Sequence, residues 1–355
     1  MMGMMKQAVS RPGAMLARRV TLAVAGSALL AFTVMSVSAV LSSGAALAAE
    51  PQRPVLSSIE LGGSVLPHGI VGADGAEPTV WFSAARRSAI GEIDVATRSV
   101  GYIALGHGAR PRALTRCPNG KLYALDPALN VIHEITSATE EVVRHPMPDG
   151  HTADLSGATC TAGNLLVFTG YNGWVGTLDT ASGKVSLSEA VTGRGPASIA
   201  LSSGGAVWFA AYASNQIVRV DPVSMRQDAF AMPTGVEGPK GMVVDSTGRV
   251  WVTAYRSGRI ARFDPRRRSW DAWSLGEGAR PFALTLDAAG TVIVSDVGRD
   301  KLVRFDAATG SGTVIASLSE RGQARAVTRL GDQIWISETA VDRIRIIDTS
   351  VPPSN

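Results

Sequence analysis

Short apolar runs, rich in β-branched and aromatic residues, alternate along this chain with turns built from Gly, Asp and Asn. Beyond residue 49 no stretch sustains apolar positions at the 3.6-residue period, so the pattern predicts strands and leaves helices no place. The strands recur in a fixed order. A segment Pro-x-(Gly/Ala)-(apolar) appears at Pro67, Pro111, Pro239 and Pro281, with looser copies beginning at Leu155, Pro196 and Ala324. Its x residues are His68, Arg112, Ser156, Ala197, Lys240, Phe282 and Arg325, spaced 41 to 44 residues apart. After each comes a turn such as Asn119-Gly120 or Thr247-Gly248, which supplies the positive φ of a tight hairpin. A second strand follows, often aromatic (Val207-Trp208-Phe209, Ile334-Trp335-Ile336). A third ends in Asp94, Asp179, Asp221, Asp264, Asp306 or Asp348, with Thr136 at that place in the second repeat. A more variable fourth strand leads on to the next unit.

A period near forty residues with four strands per unit is that of a propeller blade. One such sheet cannot cover both of its faces, whereas seven arranged radially bury each face against a neighbour. The predicted fold is therefore all-β, a seven-bladed β-propeller of four-stranded blades. The last repeat stops after its third strand, and Val55 to Leu61 reads as an orphan strand before the first. That N-terminal strand is expected to complete the last blade and close the ring.

Charge changes the picture only at the N-terminus. Lys6, Arg11, Arg18 and Arg19 precede Ala49 without an acidic partner, so the remaining body carries 30 basic and 30 acidic side chains. A basic pI therefore gives no footprint for a nucleic acid, and none is expected as a partner. Residues 1–48 have the order of a signal peptide: a positive start, an uncharged apolar run and Ala46-Leu47-Ala48 before a cleavage point. The run is also long enough for a membrane anchor, and Arg18-Arg19 is a weak twin-arginine signal. Residues 49–355 form the propeller. The expected location is periplasmic, secreted or envelope-anchored, with membrane contact only through an uncleaved leader, and the expected state is a monomer. In such a compartment Cys117 and Cys160, on neighbouring blades, either pair or stay as buried thiols; the sequence does not choose between these.

The hairpin order puts each x residue, and the residue about fourteen later that ends the second strand, at one mouth of the central channel. The second set contains Asp126, Asp296 and Glu338. Tyr171, Tyr212 and Tyr255 each follow the second strand of consecutive blades and could form an aromatic shelf there. Arg112, Asp126, Tyr212, Lys240, Tyr255, Phe282 and Arg325 are the candidate ligand-binding residues. The Asp at each third-strand end reads as a turn cap. His107, His133, His145 and His151 share no metal spacing and read as surface or loop residues.

The repeat Pro-x-(Ala/Gly)-Ile, Gly turn, Trp-Phe-(Thr/Ser)-x, Ile-x-(Arg/Glu)-(apolar)-Asp, clearest at Pro67 to Asp94, Pro196 to Asp221 and Pro239 to Asp264, resembles the streptogramin lyase (virginiamycin B lyase) family. The resemblance covers the whole chain after the leader. It implies a seven-bladed propeller that opens a cyclic depsipeptide by Mg²⁺-assisted elimination. It also implies a site with one His at an x position, then Glu-Pro-His and a final Glu in the next blade. Those positions fall on Lys240, Arg280, Phe282 and Asp296. Only Asp296 keeps the chemistry, because a phenyl ring binds no metal and Arg280 reverses a charge. Two readings follow. One is an exported binding propeller that takes a small molecule, peptide or protein at the channel mouth. The other is a divergent Mg²⁺-dependent carbon–oxygen lyase or hydrolase of a cyclic ester or lactone. Its catalytic set would be Asp296, Glu338 and His68, with Asp296 and Glu338 holding the metal.

Overall fold

The computed structural model describes residues 56–75 and 77–350. The leader, Val55 and the Pro-rich tail lie outside them. Seven four-stranded antiparallel sheets form, each a meander with its strands in sequence order except the last. The innermost strands are Pro67–Ala73, Ala113–Arg116, Leu155–Cys160, Pro196–Leu201, Pro239–Val244, Pro281–Leu286 and Ala324–Leu330, and they define blades 1 to 7. In blade 7 the outermost strand is Leu56–Glu60, which runs antiparallel to Arg343–Asp348. Asp342 Oδ1 accepts the backbone N–H groups of Val65 and Leu66, so the first segment is also fixed where it leaves that sheet.

The core lies between blades. Phe82 and Ile70 of blade 1 pack with Trp335 and Leu330 of blade 7, and Trp208 of blade 4 packs with Phe263 and Val252 of blade 5. Second strands are almost wholly buried, as in Val207–Ala211 and Val250–Ala254. This accounts for their continuous apolar runs: both faces meet a neighbouring sheet. Third-strand aspartates cap their turns. Asp94 accepts from Thr97 N–H, Asp221 from Val223 and Ser224, and Asp264 from Arg266 and Arg267.

Two devices join innermost strands around the channel. The first explains the Gly of the repeat. A Cβ on Gly69, Gly157 or Gly241 would come within 2.5, 2.6 or 2.4 Å of the carbonyl oxygen of Arg112, Ala197 or Phe282 in the next blade. The second is a buried hydroxyl on the penultimate residue of the second strand. Ser83 donates to the Arg112 carbonyl, Thr169 to Ala197, Thr253 to Phe282 and Ser337 to His68, at 2.7 to 3.0 Å. The Ser337 bond runs from blade 7 to blade 1. Between blades 2 and 3 the link is covalent: Cys117 and Cys160 form a disulfide with Cα atoms 5.2 Å apart.

Candidate functional site

A bulge sets the direction of the x residues. Pro67, Pro196, Pro239 and Pro281 pair with the last residue of their second strand, and the register then slips before pairing resumes three residues later. The x residue sits in that irregularity, where a strand re-aims its side chain. All seven x residues line one cavity of about 990 Å³ at the channel mouth, together with Tyr171, Tyr212 and Tyr255. The expected ligand-binding residues Arg112, Tyr212, Lys240, Tyr255, Phe282 and Arg325 are thus brought together with His68.

The acidic residues are not. Asp126, Asp296 and Glu338 are fully buried, 0% exposed, and none lines the cavity. Each lies opposite or beside the residue that opens its inner strand, one strand further from the axis, and fixes a loop. Asp296 accepts from the N–H groups of Arg280 and Gly298 and pairs with Arg299 Nε at 2.6 Å. Asp126 accepts from Arg110, Ala128 and Leu129 N–H and from His133 Nε2. Burial pushes the Asp126 carboxyl upward, but the bonds from His133, Leu129 and Arg110 outweigh it and hold it below the usual carboxylate range. Glu338 takes Ser319 N–H at 2.6 Å and Ser319 Oγ at 2.9 Å, with Arg345 at 3.3 Å. The expected metal pair Asp296 and Glu338, their expected catalytic roles and the expected ligand contact of Asp126 are therefore corrected: every oxygen of these carboxylates is committed to backbone or to an adjacent cation. Two histidines also differ from expectation. His133 is buried on Asp126, and His145 is buried on Glu134 at 2.9 Å.

What remains at the mouth is cationic. Arg86, Arg110, Arg112, Lys240 and Arg325 line the cavity, against the single carboxylate of Asp154 among the described residues. Asp154 lies 3.4 Å from Arg112. Lys240 Nζ sits 5.1 Å from the Tyr212 ring centre and 5.2 Å from that of Phe282, and Arg325 Cζ is 5.9 Å from Phe282. Tyr255 meets Phe282 edge-on at 6.0 Å. Arg86 and Arg110 went unnoticed in the sequence because neither holds the x position; Arg110 directly precedes the Pro of its repeat. Burial, then the positive charges of Arg325, Arg112 and Lys240, push the half-buried His68 imidazole down to about 3. Burial followed by Arg325 and Arg112 lowers Lys240 in the same way.

This donor set does not fit Mg²⁺, which takes near-octahedral oxygen ligands, usually one or two carboxylates with waters or phosphates. No group of three or more His, Cys, Asp or Glu side chains among the described residues is placed to hold a metal ion.

The fold has counterparts among solved structures. The chain superposes on virginiamycin B lyase from Staphylococcus aureus with a TM-score of 0.77 and 22% identity, covering 83% of this chain and 99% of that one. The fold is that of the streptogramin lyase propellers. A catalytically inactive histidine-to-alanine variant of the Staphylococcus aureus lyase, with quinupristin, matches at a TM-score of 0.76 and 22% identity over the same 83% and 99%. A more distant likeness is the extracellular domain of a hybrid two-component system from B. thetaiotaomicron, with a TM-score of 0.68 and 15% identity, covering 86% of this chain and 44% of that one. The SGL family model, described as SMP-30/Gluconolactonase/LRE-like region, matches residues 222–288. No curated protein matches the chain. The likeness to the lyase propellers agrees with the resemblance carried by the repeat motif.

Proposed function

We propose that this streptogramin lyase-like propeller is an exported binding protein that takes a small molecule or short peptide at the channel mouth and does not perform the lyases' elimination. One observation carries the reading. The x residues and three tyrosines converge on one cavity, while every acidic candidate for catalysis is spent on holding a loop. A volume of about 990 Å³ suits a drug-sized ligand, and concave mouths with a few convergent polar groups are the usual binding sites. Elimination needs a base for a carbon-bound proton, matched to the working pH. Among the cavity groups His68 is a poor base, since its proton affinity is held far below that of free imidazole. Export is supported by the leader sequence and by the Cys117–Cys160 disulfide.

The test is incubation with a cyclic depsipeptide of the streptogramin B class, with Mg²⁺ and separately with a chelator, followed by mass spectrometry. The expected result is intact ring in both. Ring opening that stops on chelation and in His68→Ala would overturn the reading.

A further inference from the structure

The cations of the mouth have an arrangement that a generic pocket does not need. In a body whose basic and acidic side chains balance, the cavity wall holds five cations and one carboxylate. Of the three that converge with His68, only Arg112 has an acidic neighbour, Asp154. Lys240 and Arg325 are half-buried and, among the described residues, have no carboxylate within salt-bridge distance. Both rest against aromatic faces, Lys240 on Tyr212 and Phe282 and Arg325 on Phe282. Arg325 makes its side-chain hydrogen bond to Gln323, a neutral partner. The nearby acids Asp296 and Glu338 are paired instead with Arg299 and Arg345, outside the cavity wall.

We propose that the channel mouth binds an oxyanion, carboxylate or phosphate, carried on an apolar or aromatic body. The anion sits among Arg112, Lys240 and Arg325, and the body lies against Tyr212, Tyr255 and Phe282. This deepens the binding reading above and rests on it. The physical ground is the mutual repulsion of these cations in a concave, partly desolvated site, where the protein field is focused and water screens it poorly. Burial followed by Arg325 and Arg112 makes Lys240 easier to deprotonate, and His68 stays neutral beside the same charges. An incoming anion relieves that repulsion and gains charge-assisted hydrogen bonds, which are about twice as strong as neutral ones. Aromatic walls beside the cations favour a ligand with a flat or apolar part, and they also hold the ammonium and guanidinium groups in place before the ligand arrives.

The experiment titrates the full protein by calorimetry with 3-phenylpropionate, phenyl phosphate and the neutral isostere 3-phenylpropanamide. Either charged probe is expected to bind at least about tenfold more tightly than the amide, the discrimination given by one hydrogen bond to a charged group. The stronger of the two identifies the oxyanion. Lys240→Gln and Arg325→Gln should each weaken the charged probe by a larger factor than the amide. Arg267→Gln, on an exposed hairpin tip, should leave both unchanged. Equal affinity for amide and carboxylate in the unaltered protein refutes the anion site while leaving the mouth a binding site. Charged-probe binding untouched by both Lys240→Gln and Arg325→Gln refutes it as well, and so does no saturable binding of any probe. Depsipeptide ring opening would instead remove the non-catalytic reading and leave the anion preference to be judged on these titrations.

Discussion

Thr253→Val isolates the device that sets the mouth's geometry. The Thr253 hydroxyl accepts the Gly241 N–H at 2.7 Å and donates to the Phe282 carbonyl at 2.9 Å, so one buried oxygen ties the inner strands of blades 5 and 6. Valine keeps the shape and the branching but leaves that donor and that acceptor without partners. Each orphaned buried group costs about 1–3 kcal/mol, so the variant should lose about 2–6 kcal/mol. That is a large share of the roughly 5–15 kcal/mol by which domains are stable. Thr253→Ser keeps the hydroxyl and removes one methyl, and should cost about 1 kcal/mol. Equilibrium urea denaturation followed by tryptophan fluorescence separates the two. Because the freed Phe282 carbonyl shares its residue with the cavity wall, probe affinity at the mouth should fall in the valine variant and hold in the serine one. If Thr253→Val is as stable as Thr253→Ser to within about 0.5 kcal/mol, the hydroxyl does not join the blades energetically and the reasoning fails.

Replacing Cys117 and Cys160 together by Ser should lower stability by about 4 kcal/mol, the chain-entropy value for a loop closed across the 43-residue separation; denaturation with and without reductant measures it, and no difference would contradict it. The folded-state pKa of His68 lies below its unfolded value, so the unfolded chain binds the extra proton and stability should fall as pH drops from about 6.5 toward 3. His68→Asn should flatten that slope, and the His68 ring should remain neutral by NMR at pH 5; a ring titrating near 6.5 would refute the cationic surroundings. Asp296→Asn and Glu338→Gln should destabilise the fold through Arg299, Arg345 and the loop N–H groups they hold, without changing the affinity of the charged probes. A selective loss of probe binding at unchanged stability would return those residues to the site. Deleting residues 49–60 should leave Arg343–Asp348 as an unpaired edge and cause self-association visible by light scattering.

The ring and its mouth were legible because repetition fixes register. Once Pro-x-(Gly/Ala) was aligned, every x residue had to reach the axis, and each does. Asp126, Asp296 and Glu338 were misplaced because sequence position gives the level of a residue along the channel but not its distance from the axis. The end of a second strand lies behind the inner strand, where a carboxylate meets backbone N–H groups before it meets a ligand. The signal was available in Asp126-Pro127-Ala128 and Asp296-Val297-Gly298, where Asp precedes a turn whose amides it can hold. The hydroxyl joints were equally visible as Ser83, Thr169, Thr253 and Ser337 at one place in the repeat. The burial of His133 and His145 was not, since their pairing depends on which face of blade 2 meets its neighbour.

The joints are unevenly distributed, and that has a consequence for how the wheel comes apart. Blades 1–2, 3–4, 5–6 and 7–1 have a hydroxyl tie, and 2–3 has a covalent one. Leu125 and Ala210 stand where blades 2 and 4 would carry the hydroxyl, and Ser295 bonds only to Ala283 of its own blade. Blades 4–5 and 6–7 are therefore the seams, with two blades on one arc and five on the other. Amide protons facing those two seams should exchange with solvent first, and blades 5 and 6 should swing out as a pair, carrying Lys240 and Phe282 with them.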